Sequence, residues 1–132
     1  MDYYPIIAEN FQNTIETIAM SVDDLAGMIE RGSQLMAAAL LADRKIIACG
    51  NGVDAALAQL FACNLLHRFE QDRPALPALS LTADYASVTA IAQDGALNEI
   101  FSRQLRALGQ AGDVLLCINS SEGSSSLLRA VQ

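Results

Sequence analysis

With 132 residues, 52% apolar side chains and no Trp, the chain has the length of one domain and enough apolar surface for a core, which excludes a disordered polymer. Its 15 acidic residues against 8 Lys and Arg give a formal charge of -7. That balance disfavours sequence-independent nucleic-acid binding, which draws most of its affinity from phosphate neutralisation, and favours a basic protein partner.

The amino terminus carries Asp2 and Glu9 where a secretory signal needs Lys or Arg, so export is not expected. The longest apolar run, Leu35 to Ala42, has eight residues, against the roughly 20 that span a bilayer. Ile7, Phe11, Ile15 and Ile18 recur at helical spacing, as do Leu25, Met28, Ile29, Met36 and Leu40. The first 42 residues therefore read as two amphipathic helices divided at Ser21 to Asp24. No heptad pattern, internal repeat or low-complexity tract is evident.

Lys45 to Cys49 reads as a strand buried on both faces, followed by a glycine turn, Gly50-Asn51-Gly52, and a helix from about Ala55 to Phe69. Strand, turn and helix start are suited to holding a phosphate. Asp54, at the position best placed to cap that helix, puts a carboxylate where the anion would sit. Pro74 and Pro77 close the helix, and Ala78 to Leu81 forms the second strand. Asp84 caps a helix to about Gln93, and a further helix from Leu97 stops at Gly109. Val114 to Ile118 is the third strand, and a polar loop from Asn119 to Ser124 leads into a final amphipathic stretch. Strands alternating with helices imply a parallel α/β sheet with ligands at the carboxyl ends of the strands, where both polar loops fall. Cys49, Cys63 and Cys117 are odd in number and lack metal-ligand spacing, as expected of reduced core thiols in a cytoplasmic protein.

The segments Cys49-Gly-Asn-Gly52, Ala58-Gln-Leu-Phe-Ala62, Arg73-Pro-Ala-Leu-Pro77, Thr89-Ala-Ile-Ala92 and Arg106-Ala-Leu-Gly-Gln-Ala-Gly-Asp-Val-Leu-Leu116 together resemble a sugar isomerase (SIS) domain of the phosphoheptose isomerase type. The branch most similar is that of the DnaA initiator-associating protein, a non-enzymatic relative. The resemblance implies a flavodoxin-like three-layer α/β sandwich with a five-stranded parallel sheet, in a homodimer or homotetramer whose amino-terminal helices contribute subunit contacts. Residues 1–132 are read as a single SIS-type domain, with a helical segment over 1–42 and a partial α/β core over 43–132. The chain holds three of the five strands and so looks truncated after the third strand and its following helix.

The resemblance also implies a degenerate substrate site made of Gly50, Asn51, Gly52, Val53, Asp54, Gln93, Asp94, Asn119, Ser120, Ser121 and Ser124. The isomerases' first loop reads Gly-Asn-Gly-Gly-Ser, and here Val53 and Asp54 replace its last two residues. Their second loop reads Ser-Thr-Ser-Gly-Asn-Ser, and here Asn119 replaces the first serine and Glu122 the glycine. Two carboxylates at an anion site oppose binding by Coulomb repulsion. Asp54 reads first as an N-cap, which is compatible with its opposing an anion, whereas the serines are equally explained as a solvated loop with a helix cap and Asp94 before Gly95 as a turn residue.

A metal-binding His and a catalytic Glu of the family fall at Leu60 and Asn64, neither of which can take that role. His67 reads as a surface or interface residue, and the family's second catalytic His lies outside the matching part. No cofactor and no metal site is expected. These departures favour a non-catalytic protein, and the resemblance to the initiator-associating branch implies that it binds the replication initiator and itself, without direct nucleic-acid or membrane contact. The alternative is a phosphoheptose isomerase or a sugar-phosphate sensor for sedoheptulose 7-phosphate.

Overall fold

A computed structural model describes residues 2–132. The chain divides into two compact units, Met1–Leu35 and Met36–Gln132. Helix α1, Tyr4–Leu41, is 38 residues long and continuous through Ser21 to Asp24, so the expected pair of helices is one. That segment lacks Gly and Pro, and the Ser21 hydroxyl donates to the Thr17 carbonyl at 2.7 Å, which accommodates the polar residue within the helix.

Continuity aligns Phe11, Ile15, Ile18, Val22, Leu25 and Ile29 at alternating spacings of four and three, a heptad pattern that a break at Ser21 to Asp24 would interrupt. All six are exposed. Asp43 ends α1 in the left-handed region with φ 57°, and the Arg44 amide bonds back to the Ala39 carbonyl at 2.9 Å.

Strands β1 (Ile46–Cys49), β2 (Ala78–Ser80) and β3 (Val114–Cys117) form a parallel sheet in the order β2-β1-β3. Period-two alternation divides β1 between two layers. Ile47 and Cys49 join Leu81, Ile91, Ile100, Phe101 and Leu127 in one core. The alternate residues Ile46 and Ala48, both fully buried, point the other way. Helix α2 (Val53–Leu66), packed on β1 and β2, buries Ala58 and Ala62. It ends at Leu66, three residues earlier than its spacing implies, where the Arg73 guanidinium donates to the carbonyls of Asn64 and Leu65 at 2.7 and 2.9 Å.

Helix α3 (Tyr85–Gln93) is capped by Asp84, which accepts from the Ser87 amide at 3.3 Å, as its position predicts. Helix α4 (Ile100–Leu108) is entered through a 3-10 turn at Leu97–Glu99, and α5 spans Ser125–Val131. The Glu99 carboxylate faces Arg103, Arg106 and Arg129 and so links α4 to α5.

One aspartate clamps the amino ends of β1 and β3. Asp113 accepts from the Lys45 amide at 3.0 Å and the Gln110 amide at 2.8 Å, and pairs with the Lys45 ammonium at 2.6 Å. Burial raises the Asp113 pKa, but the Lys45 and Gln110 hydrogen bonds and the Lys45 charge outweigh it and hold the carboxyl below its usual range.

Candidate functional site

The strand order places β2 on one side of β1 and β3 on the other, so the loops after β1 and β3 diverge at a topological switch point. In open parallel sheets that crevice is where ligands bind. Gly50 must be glycine because a Cβ there would lie 2.6 Å from the backbone carbonyl of Asp54. Gly52 precedes α2 with φ 56°, a left-handed conformation that side chains resist.

Helix α2 starts at Val53, so Asp54 lies in its first turn and does not cap it. Asp54 is buried, and its Oδ2 accepts from the Ser120 amide at 2.9 Å. This corrects the N-cap expectation: the carboxylate satisfies the backbone of the other loop, while its place in the first turn still suits the helix dipole. Its Oδ1 is buried without a hydrogen-bond partner among the described residues.

A second tie runs alongside. Asn51 Nδ2 donates to Ser124 Oγ at 2.9 Å and to Ser126 Oγ at 3.1 Å, and those two hydroxyls lie 3.1 Å apart. Ser124 Oγ also accepts from the Leu127 amide at 3.3 Å, so the serine that faces Asn51 is also the cap of α5. Ser126, buried at the centre of this group, is the residue that sequence reasoning missed. Its only signal was its place two residues after Ser124.

Of the candidate residues, the structure therefore joins Asn51, Asp54, Ser120 and Ser124, with Gly50 and Gly52 shaping the turn. Val53 is exposed on the first turn of α2, and Asn119 donates to the Ser121 carbonyl at 2.6 Å within its own loop. Glu122 is exposed. Gln93 and Asp94 lie at the carboxyl end of α3, both exposed, and among the described residues no hydrogen bond joins them to either loop.

The positions where the resemblance implies a metal ligand and a base lie further along α2. Leu60 is exposed and Asn64 half-buried. An alkyl side chain and a neutral amide do not fit a metal or a proton acceptor. Exposed His67 caps the end of α2 and lines a cavity of about 560 Å³ with Gln59, Cys63, Leu66 and Ser80, beside β2 and away from the joined loops. The three cysteines are unpaired, Cys49 buried, Cys117 half-buried and Cys63 exposed. Cys63 thus departs from the expected core placement, because it falls on the outward side of α2. No helix is long and apolar enough to cross a membrane among the described residues.

A parallel sheet flanked by helices, with two polar loops tied across its switch point, defines a flavodoxin-like α/β domain. The SIS domain model matches residues 10–132, and the chain belongs to the SIS domain family. It is 46% identical over all 132 residues to the phosphoheptose isomerase of Chromohalobacter salexigens and spans 67% of that protein. The solved phosphoheptose isomerases of Francisella tularensis and Neisseria gonorrhoeae superpose with TM-scores of 0.91 and 0.89 at 35% and 36% identity. In those matches 99% and 98% of this chain cover 69% and 67% of theirs.

These relatives overturn the expectation of a non-catalytic regulator of the replication initiator, since the proteins that match along the whole chain are named as isomerases. That expectation rested on the resemblance to the initiator-associating branch, supported by Leu60 and Asn64. Losing two side chains from a site says nothing about gaining a protein partner.

Proposed function

We propose that the chain binds sedoheptulose 7-phosphate at the joined loops after β1 and β3 and works as a sugar-phosphate isomerase of the phosphoheptose type. The observation that carries this reading is the bridge from Asn51 to Ser124 and Ser126, which holds two donor-rich loops together at the switch point. The names of its relatives support it. Residues 1–132 are taken as one SIS-type domain, in a reducing cytoplasm suited to three unpaired thiols. Self-association into a homodimer or homotetramer through the exposed heptad stripe of α1 belongs to the same reading.

Interconversion of an aldose and a ketose moves a proton between adjacent carbons through an enediol and needs a base. The isomerase reading therefore requires a base from outside positions 60 and 64. Leu60 and Asn64 specifically favour a second reading, a sugar-phosphate sensor that binds the same ligand without turnover.

One experiment separates them. The protein is titrated calorimetrically with sedoheptulose 7-phosphate and the mixture followed by NMR. Turnover supports the isomerase, saturable binding without turnover supports the sensor, and a folded protein showing neither rejects both.

A further inference from the structure

At the last register position of the β1 and β3 ladder, Cys49 faces Cys117, and their sulfurs lie 3.6 Å apart. We propose that Cys49 and Cys117 form a peroxide-responsive thiol pair whose oxidation to a disulfide joins the carboxyl ends of β1 and β3 and stiffens the two loops that follow.

Three features carry this. The first is proximity: neighbouring strands already hold the two sulfurs 3.6 Å apart, so closing them to a bond length of about 2.05 Å needs side-chain rotation and a small strand adjustment. The second is access on one side only. Cys49 is fully buried, whereas Cys117 is half-buried and lines a cavity of about 320 Å³ with Asn119, Gly123, Ser124, Leu127 and Leu128. A small oxidant therefore meets Cys117 first. The third is ionisation: the hydrogen bond from the Cys49 thiol brings Cys117 down to about 7 against the opposing effect of burial, while the same contact and burial push Cys49 up. Cys117 is thus the attacking thiolate and Cys49 the thiol that resolves the product.

The chemistry balances with hydrogen peroxide as the oxidant. The Cys117 thiolate attacks one peroxide oxygen, the O–O bond breaks, and hydroxide leaves, giving a sulfenic acid. The Cys49 sulfur then attacks the sulfenic sulfur, the S–O bond breaks, and the departing oxygen leaves as water with the proton from the thiol. Two thiols are oxidised to one disulfide, and one peroxide is reduced to two waters once the hydroxide takes up a proton. Reversible pairing of this kind is the usual use of disulfides in a reducing compartment. Its structural effect follows from position: Gly50 and Asn51 come directly after Cys49, and Ile118 and Asn119 directly after Cys117.

The test uses the full chain carrying Cys63→Ser, which removes the exposed thiol from the count. The protein is treated with stoichiometric hydrogen peroxide, alkylated and analysed by intact mass and peptide mapping. The expected result is loss of two hydrogens, protection of both Cys49 and Cys117 from alkylation, and full reversal by dithiothreitol. Oxidation of Cys117 to sulfinic acid with Cys49 still free, or no reaction at either, overturns the proposal. With Cys49→Ala, Cys117 is expected to stop at a sulfenic acid trapped by dimedone; should that variant not fold, the mass and mapping of the Cys63→Ser protein decide alone. Amide exchange over residues 50–53 and 118–121 is expected to slow by roughly threefold or more in the disulfide form, and unchanged exchange overturns the coupling to the loops. None of these readouts depends on sugar-phosphate binding.

Discussion

The Asp54 carboxylate reaches across the switch point and accepts a hydrogen bond from the Ser120 amide at 2.9 Å. An acid that looks like an obstacle to phosphate is therefore also a structural tie between the loops. Replacing it removes a buried charge and leaves the Ser120 amide to seek a new acceptor. The double variant Asp54→Ser, Glu122→Gly is expected to bind sedoheptulose 7-phosphate about tenfold more tightly, which corresponds to about 1.4 kcal/mol. Calorimetric titration reads the change. Equal affinity in variant and parent would show that the carboxylates do not limit anion binding.

Asn51 is the complementary tie. In Asn51→Ala the buried Ser126 hydroxyl loses its amide donor and Ser124 keeps only its capping bond and the Ser126 hydroxyl. A loss of about 1 kcal/mol in urea unfolding is expected, together with weaker sugar-phosphate binding. Normal binding by the folded variant would detach this bridge from the ligand site.

The two glycines of the turn are expected to fail differently. Gly50→Ala drives a Cβ to 2.6 Å from the backbone of Asp54, where nothing can yield cheaply, so a loss of about 3 kcal/mol is expected. Gly52→Ala meets no atom within 4 Å but keeps φ 56°, and the left-handed penalty is about 1 kcal/mol. Chemical denaturation ranks them, and the reverse order would contradict the turn geometry.

At the opposite end of the same strands, the Lys45–Asp113 clamp predicts an acid transition. Because the folded carboxyl titrates below its unfolded value, its contribution is fully present above the ordinary Asp range, near pH 4. It is lost as pH falls through the depressed folded value. Asp113→Asn is expected to cost about 2 kcal/mol at neutral pH, since the Asp113 side chain is only 7% exposed. The gap to the parent protein should narrow toward pH 3. A gap constant from pH 7 to pH 3 would exclude the clamp as the titrating element.

For α1, Ile18→Glu places a charge in the middle of the exposed stripe. If α1 carries self-association, sedimentation velocity should show the parent as a dimer or tetramer and the variant shifted toward monomer. An unshifted variant would move the contact away from this face.

Local chemistry made much of the sheet legible. The apolar runs at Ile46, Ala78 and Val114 each have a breaker on one side, Gly50 after the first, Pro77 before the second and Gly112 just before the third, and the Asp84 cap needs a partner only three residues away. Features decided by distant partners stayed hidden. Asp54 looks like a cap until Ser120 is placed beside it, and Ser126 looks like loop until its neighbours exclude water. The polar Ser21 to Asp24 segment looked like a break because the carbonyl that accepts the Ser21 hydroxyl is invisible in a hydropathy pattern.

The ties that join the two loops link residues 66, 73 and 75 positions apart in the sequence. Contacts so remote form only after a large loop has closed, at an entropic cost that must be met before they return any stabilisation. The β1–α2–β2 segment can nucleate early from its own neighbours. The crevice between the two loops cannot exist until β3 docks against β1, so any binding competence of the proposed site should appear in step with the last cooperative phase of folding.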